Sequence, residues 1–304
     1  MLVPKKNMLL VVNPCAGKMT IKHHLLSVIN IFSSAGFNVN VYPTKCRGDA
    51  EQIVFNTASH YSDIVCCGGD GTLNEVINGI MLSGANVNLG YIACGTLNEW
   101  SQGLKISKNM VNAAKDIACG NIIPLDIGKF AGKYFAYTAS FGAFTDASYS
   151  APQDFKNVLG QAAYIIEGIK SLSNIKPIPI EFECKEKSVK GDYLFGAISN
   201  SMSVGGIVKF DKALVALNDG RFEVFLIKHP KNAAQLQTII TAVLSRNFNC
   251  ELIDFFHTEQ VTVKAPANLA WTLDGEMASG GNKFTISNIH NAINFYIPEK
   301  FSKK

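Results

Sequence analysis

A glycine-rich segment in the first third of the chain combines backbone suited to binding phosphate with a carboxylate. Residues 66–75 read CCGGDGTLNE, so Asp70 lies among Gly68, Gly69 and Gly71. Glycines let backbone N–H groups approach a phosphate closely, but a carboxylate there repels the phosphate unless a Mg2+ ion lies between them. The segment therefore predicts a nucleoside triphosphate, with the glycines on phosphate and Asp70 on the metal, directly or through water.

The same residues also fit a simpler interpretation, a tight turn from a strand into a helix that Asp70 or Thr72 caps. Two further segments favour the phosphate site, because NPCAGK (13–18) and CGTLNEW (94–100) also follow apolar runs and also contain glycine. NPCAGK lacks the first glycine of a P-loop, and GGDGT is not the dinucleotide pattern G-x-G-x-x-G. One such loop is weak support for a ligand site, whereas three at one sheet edge are strong support.

The first part of the chain alternates between strand-like and helical hydrophobic patterns. Strands are predicted at 8–13, 37–42, 63–67 and 89–94, and helices at 18–34, 49–58, 73–82 and 108–118. This alternation predicts an α/β fold with a doubly wound parallel sheet, whose ligands bind at the carboxyl ends of the strands. We assign this first domain to residues 1–122.

Residues 123–304 read as a second, mainly β domain, a sandwich or flattened barrel, and the last residues could pack back on the first domain. The segments KGDY (190–193) and NDGR (218–221) are typical of turns, and DGE (274–276) by itself predicts a hairpin turn. KFTISNI and INFYI are predicted as separate strands. Two helices are predicted near 156–172 and 231–246.

Composition narrows the class of protein. The net charge of +4 contains no block of lysine or arginine suited to nucleic acid, and it is compatible with a phosphate-bearing ligand or an anionic membrane surface. None of the eight cysteines forms a C-x-x-C pair, so free thiols in a reducing compartment are expected. No signal peptide and no apolar stretch of about 18 residues is found. We expect a cytoplasmic protein that contacts a membrane only from its surface.

Four segments, NPCAGK, GGDGTLNEV, GTLNEW and WTLDGE, occur in an order and spacing that resemble the diacylglycerol kinase catalytic-domain family. The resemblance covers essentially the whole chain and is closest to soluble bacterial lipid kinases related to diacylglycerol kinase and sphingosine kinase. It implies a Rossmann-like nucleotide domain with a β-rich second domain, and ATP- and Mg2+-dependent transfer of the gamma-phosphoryl group to a lipid hydroxyl.

The resemblance also implies roles for individual residues. Glu276 matches the proposed general base, and Asp70 is the second catalytic candidate. A structural Mg2+ site would use the Asp219 carboxylate and the carbonyls of Ala216 and Arg221. The positions that match the family's nucleotide-binding residues are Asn13, Pro14, Cys15, Ala16, Gly17, Thr44, Gly68, Gly69, Asp70, Gly71, Thr72, Leu73, Asn74 and Thr96.

This sequence departs from the family pattern at two places. Asn98 is followed by Glu99 where the family's GTxND motif has aspartate, which leaves the role of this acid open. Cys15 and Ala16 occupy positions where a small hydroxyl residue is common, so one phosphate contact is expected to be weaker.

Several functions share parts of this pattern. NAD kinases and phosphofructokinase-like sugar kinases also contain GGDGT, although NPCAGK together with DGE argues against them. A nucleotide-binding regulator without catalysis is a third class, which the presence of all candidate catalytic groups disfavours. The acceptor is expected to be diacylglycerol or a related lipid at a membrane surface, with a sphingoid base, phosphatidylglycerol and an acylglycerol left open. The oligomeric state is also left open between a monomer and a homodimer.

Overall fold

The computed structural model describes residues 6–96, 98–143, 176–204, 208–210 and 215–299. The chain divides into two compact units. Unit 1 comprises the described residues up to Ile127 and those from Asn291 onward, and unit 2 is Gly128–His290. In the part of the chain that is described, no helix is both long and apolar enough to cross a membrane. The helix predicted near 156–172 lies outside the described residues.

Unit 1 is built on a parallel sheet whose strands lie in the order β2 (Phe37–Pro43), β1 (Lys6–Val12), β3 (Asp63–Gly68) and β4 (Asn88–Ala93). The end of a late strand, β17 (Lys283–Tyr296), lies parallel beside β4 and extends this sheet. The remaining elements of unit 1 are α1 (Ile21–Ser34), α2 (Asp49–Thr57), a 3-10 turn (Ala58–His60), α3 (Asp70–Ser83), α4 (Glu99–Gly103), α5 (Met110–Ala118) and the first part of β5 (Ile122–Phe130).

Both faces of this sheet are covered by helices. Met8 and Leu10 in β1 pack in one core with Val28 of α1 and Ala114 of α5. Leu9, which points to the opposite face because strand side chains alternate, is also buried. α2 and α3 pack against each other, and α3 contacts β3. The doubly wound α/β fold predicted from the sequence is therefore confirmed.

Unit 2 is mainly antiparallel. Its longest internal strand, β9 (Ser188–Ser199), pairs with β8 (Ile178–Glu183) through its first half and with β7 (Thr138–Gly142) and β12 (Phe222–Lys228) through its second half. Its elements are the end of β5 (Ile122–Phe130), β6 (Lys133–Phe135), β7 (Thr138–Gly142), β8 (Ile178–Glu183), β9 (Ser188–Ser199), β10 (Ser203–Val204), β11 (Val208–Lys209), β12 (Phe222–Lys228), α6 (Ala233–Ser245), β13 (Ile253–Thr258), β14 (Gln260–Lys264), β15 (Trp271–Leu273), β16 (Glu276–Ala278) and most of β17. Its core is rich in aromatic rings, with Trp271 in contact with Phe130, Phe141 and Phe284.

Three turn or strand predictions in this half are corrected. KGDY (190–193) is not a turn, because it lies within β9 and pairs with β8, and the hairpin turn is at 184–187 instead. NDGR (218–221) is a turn, but the strand after it, β12, pairs with β9 and β13 rather than forming a hairpin with the strand before it. KFTISNI and INFYI form the single strand β17.

The segment DGE forms a hairpin turn, as its sequence predicts. Asp274 and Gly275 connect β15 to β16, and both have positive φ values, 50° and 88°. Positive φ at both central residues is typical of the type I′ turn that suits the right-handed twist of two-residue hairpins. Glu276 is consequently the first residue of β16.

Candidate active site

The loops of unit 1 are numbered by the strand that each one follows. The first and third loops are joined at the carboxyl ends of β1 and β3. The Asn13 backbone N–H donates to the Cys67 carbonyl at 2.8 Å, and the Asn13 Nδ2 donates to Thr72 Oγ1 at 2.9 Å. The Oδ1 of Asn13 accepts the backbone N–H of Cys15 at 3.0 Å. One asparagine side chain therefore shapes its own loop and holds it against the first turn of α3.

Glycines allow the first, third and fourth loops to approach one another more closely than other residues could. Gly17 has a φ of 54°, and a Cβ there would lie 2.3 Å from the Cys94 carbonyl oxygen. A Cβ on Gly95 would lie 2.6 Å from the Cα of Gly69. The structure thus brings together the three glycine-containing loops that the sequence places at one sheet edge.

The glycine loop turns directly into α3, which begins at Asp70, three residues earlier than predicted. The N-cap residue is Gly69, which makes no side-chain cap hydrogen bond, so neither Asp70 nor Thr72 occupies the capping position of the simpler interpretation. The helix leaves its first N–H groups without helical acceptors, and glycines at 68 and 69 precede them. Such a helix N-terminus favours an anion such as phosphate.

Asp70 has two oxygens in different surroundings. Oδ2 accepts the backbone N–H of Glu99 at 3.1 Å, at the start of α4. Oδ1 is buried and has no hydrogen-bond partner within the described part of the chain. Burial raises the pKa of this carboxyl group, while the donors near it, the backbone N–H groups at the start of α4 and the Tyr91 hydroxyl, act in the opposite direction.

A divalent cation fits the chemistry of this position. A buried carboxylate oxygen without a donor is costly unless it is compensated, and Mg2+ is usually held by one or two carboxylates together with substrate phosphates and water. Asp70 is flanked in the chain by Gly69 and Gly71, whose backbone N–H groups can donate to a phosphate. The arrangement can therefore hold a phosphate-bound Mg2+ at the carboxyl edge of the sheet.

The second loop lies at the same edge. The Thr44 backbone N–H donates to the Val12 carbonyl at 2.8 Å, which places Thr44 beside the start of the first loop.

The other predicted nucleotide-binding residues differ in exposure. Thr96 follows β4 and is exposed. The side chains of Ala16 and Leu73 are buried, Cys15 is exposed, Pro14 is half-buried, and the Asn74 carbonyl and Oδ1 accept from Asn78 Nδ2.

The sequence alone did not assign a role to Glu75. Its Oε1 accepts the backbone N–H of Gly48 at 2.8 Å, and its Oε2 accepts that of Ala50 at 3.3 Å. Glu75 and Gly79 are four residues apart and share one face of α3. A glycine one turn after an acidic residue, on the same helix face, indicates that another segment packs closely there. This signal could have pointed to the contact between Glu75 and the start of α2.

In unit 2, Glu276 is half-buried directly after the hairpin turn. The residue that sequence reasoning missed here is Asp274, which is 4% exposed. Its Oδ2 accepts the backbone N–H of Ala136 at 2.6 Å, and its Oδ1 accepts those of Tyr137 and Thr138 at 3.0 Å. Asp274 therefore fixes the hairpin that bears Glu276 to the segment between β6 and β7.

The three residues of the predicted structural metal site lie in one short turn of unit 2. Asp219 Oδ1 accepts the backbone N–H of Arg221 at 3.0 Å, and Ala216 is exposed nearby in the chain. The Arg221 guanidinium contacts Glu186 at 3.6 Å. Across the described ranges, no group of three or more histidine, cysteine or acidic side chains is arranged to hold a metal ion. A site here would depend on carbonyl oxygens and water beside the single carboxylate.

Comparison with known proteins assigns the class. Residues 7–130 match the diacylglycerol kinase catalytic domain family. The diacylglycerol kinase of Bacillus subtilis (strain 168) is 32% identical over 269 residues, which is 88% of each chain. That of Staphylococcus saprophyticus is 30% identical over 276 residues, covering 90% of this chain and 89% of the relative.

A solved structure from Bacillus anthracis str. Sterne, described as a candidate diacylglycerol kinase, has the same fold. Its TM-score is 0.82 at 24% identity, over 98% of this chain and 97% of the other. The match to the family model and to these curated relatives defines the class of the protein, a lipid kinase. The chain belongs to the diacylglycerol kinase catalytic domain family.

Proposed function

We propose that this lipid kinase transfers the gamma-phosphoryl group of ATP to the hydroxyl of a lipid, with diacylglycerol as the first candidate acceptor. The observation that best supports a metal-dependent phosphoryl donor is the buried Oδ1 of Asp70 beside the glycine loop, which has no hydrogen-bond partner among the described residues. The acceptor is proposed from the relatives, since the Bacillus subtilis and Staphylococcus saprophyticus proteins are named diacylglycerol kinases.

The nucleotide would bind to unit 1. Phosphate oxygens would accept from backbone N–H groups at Gly68, Gly69 and Gly71 and at the start of α3. The loop Asn13–Gly17, Thr44 and Thr96 would contribute further contacts at the same sheet edge. Asp70 Oδ1 would hold Mg2+, and the bound ion would supply neutralisation of charge on the phosphates.

Glu276 would act as general base. Its carboxylate would take the proton of the lipid hydroxyl as the oxygen–phosphorus bond forms, and the bond from the gamma-phosphorus to the bridging oxygen would break, with ADP as the leaving group. Asp274 supports this role because it fixes the turn before Glu276 through three backbone hydrogen bonds. We further propose peripheral contact with a membrane, where such an acceptor is available.

A direct test uses the purified protein with labelled ATP and mixed micelles of defined composition. Parallel reactions contain diacylglycerol, monoacylglycerol, sphingosine or phosphatidylglycerol, with NAD and glucose as water-soluble acceptors, each with Mg2+ or with chelator. We expect label in phosphatidic acid from diacylglycerol, and none after chelation. Labelled NADP or sugar phosphate without labelled lipid would contradict the proposal. Label only in a lipid other than phosphatidic acid would make the corresponding lipid the acceptor in place of diacylglycerol.

A further inference from the structure

The side chain of Glu75 joins two helices that follow different loops of the candidate site. It projects from α3, the helix that begins at Asp70, and both of its oxygens accept backbone N–H groups at the start of α2. The N-cap residue of α2 is Gly48, which as a glycine has no side chain that could accept a backbone N–H of this helix. Glu75 therefore supplies from a neighbouring helix the acceptor that a local capping residue would otherwise supply.

The segment before α2 is held at both ends. Thr44, at its beginning, donates its N–H to Val12 at 2.8 Å, and Gly48, at its end, donates to Glu75 at 2.8 Å. Asp49, the first residue of α2, also holds this segment, because its side chain accepts the Lys45 N–H at 2.7 Å and the Tyr42 hydroxyl at 2.9 Å. The position of this second loop relative to the glycine loop thus depends on Glu75.

Close packing of the two helices keeps Glu75 within reach of α2. A Cβ on Gly79 would lie 2.7 Å from the carbonyl oxygen of Glu51 and 2.8 Å from Val54 Cβ. Only glycine at position 79 permits this approach without displacing backbone. Since Gly79 lies one helical turn after Glu75, the contact and the carboxylate act on the same face of α3.

The need of the Gly48 N–H for a hydrogen-bond acceptor does not by itself explain why the Glu75 carboxylate lies here. Gly48 is exposed, with a φ of 82°, so water could accept from its N–H. A carboxylate adds a fixed direction and a favourable interaction with the positive end of α2. This difference indicates orientation of the loop rather than a simple contribution to folding.

We propose that Glu75 is a positioning residue for the nucleotide, because it holds the Thr44–Gly48 loop in the conformation that binds ATP. The inference rests on the proposed function, in which Thr44 contacts the nucleotide. Glu75 itself would not touch the reacting atoms. Its loss would lower the fraction of molecules with a binding-competent loop and leave the chemical step unchanged.

The test compares Glu75→Gln with Glu51→Gln, which removes a charge from the first turn of the same helix α2 without removing the bonds to Gly48 and Ala50. If the competent fraction falls to about a tenth, the KM and Kd for ATP rise about tenfold, with kcat within about twofold. The KM for lipid should not change. Glu51→Gln should resemble the wild type. Hydrogen exchange of a peptide covering residues 42–50 should become faster in Glu75→Gln only.

The outcomes separate this inference from the proposed function. Equal ATP affinity in Glu75→Gln and wild type would overturn the inference, as would equal losses in both variants or a fall in kcat with unchanged KM for ATP. A lower melting temperature with unchanged ATP affinity would show a purely structural role and would also overturn it. A wild type that binds no ATP would overturn the proposed function and, with it, this inference. Glu75→Ala provides a second variant, with an effect at least as large expected.

Discussion

Two aspartates that follow similar sequence signals have opposite surroundings. Asp70, in GGDGT of unit 1, keeps one buried oxygen without a partner among the described residues. Asp274, in DGE of unit 2, uses both oxygens to accept three backbone N–H groups. A satisfied carboxylate stabilises the fold, whereas an unsatisfied one is retained at a cost and so indicates a ligand. The comparison makes Asp70 the candidate site carboxylate and Asp274 the candidate structural one, and the variants below test both assignments.

The largest effect is expected at Asp70. Asp70→Asn should reduce phosphoryl transfer to background, because an amide is a poor Mg2+ ligand, and it should not lower the melting temperature near pH 7. Kinetic assays over a Mg2+ titration and thermal unfolding without metal provide the measurements. Near-normal turnover at ordinary Mg2+ would remove Asp70 from the mechanism. It would also show that the Oδ1 without a partner among the described residues does not mark a metal site.

Glu276→Gln should lower kcat by about 10²–10⁴-fold, the usual contribution of a general base, with the affinity for ATP nearly unchanged. The amide keeps the shape of the side chain but cannot take the proton. Glu259→Gln, at an exposed acid of the same unit, is a matched control that should retain activity. If Glu276→Gln instead loses ATP binding, Glu276 belongs to the metal or nucleotide site, and Asp70 becomes the better candidate for the base.

Asp274→Ala should destabilise the protein by about 3 kcal/mol or more, since each buried donor left without an acceptor costs about 1–3 kcal/mol. Asp274→Asn keeps one acceptor oxygen and should show a smaller loss. Denaturant unfolding monitored by circular dichroism measures both. A stable Asp274→Ala variant with impaired catalysis would reverse the comparison, because Asp274 would then be the site residue.

Asp219 tests whether the turn in unit 2 holds a second cation. If it does, Asp219→Ala should lower the melting temperature measured in Mg2+ by a few degrees. Mg2+ should still stabilise the Asp70→Asn variant, and this stabilisation should be lost in the double variant. Thermal unfolding at several Mg2+ concentrations in the two single variants and the double variant separates the sites. Unchanged Mg2+ dependence in Asp219→Ala would leave this segment as a turn only.

The smallest effect concerns the pH dependence of stability. Burial raises the pKa of Asp70, so in the metal-free protein its contribution to stability is present at low pH and is lost as pH rises from its unfolded pKa through its raised folded pKa. The stability of wild type relative to Asp70→Asn should therefore fall as pH rises above about 4. Urea unfolding from pH 3.5 to 7 measures this difference, and the opposite slope would show that Asp70 is stabilised as an anion.

Much of the fold followed from local pattern. The apolar runs of β1 and β3 and the helical spacing in α1 are dictated by periodicity, which local sequence displays directly. The turn at 190–193 was wrong because Gly191 and Asp192 pair with Ile180 and Pro179 of β8, and such pairing partners are distant in sequence. β17 was divided into two for the same reason, since its continuity depends on the strands beside it.

The sequence by itself determined the three loops at one sheet edge and the hairpin before Glu276, because glycine spacing and strand order follow from steric limits on single residues and from chain connectivity. It could not decide what each acid contacts. Only the tertiary structure showed that Asp274 accepts three backbone N–H groups, that Glu75 holds the start of α2, and that Asp70 keeps one oxygen unpartnered in the described chain. The reason is physical: the cost of a buried carboxylate depends on donors that distant segments bring to it.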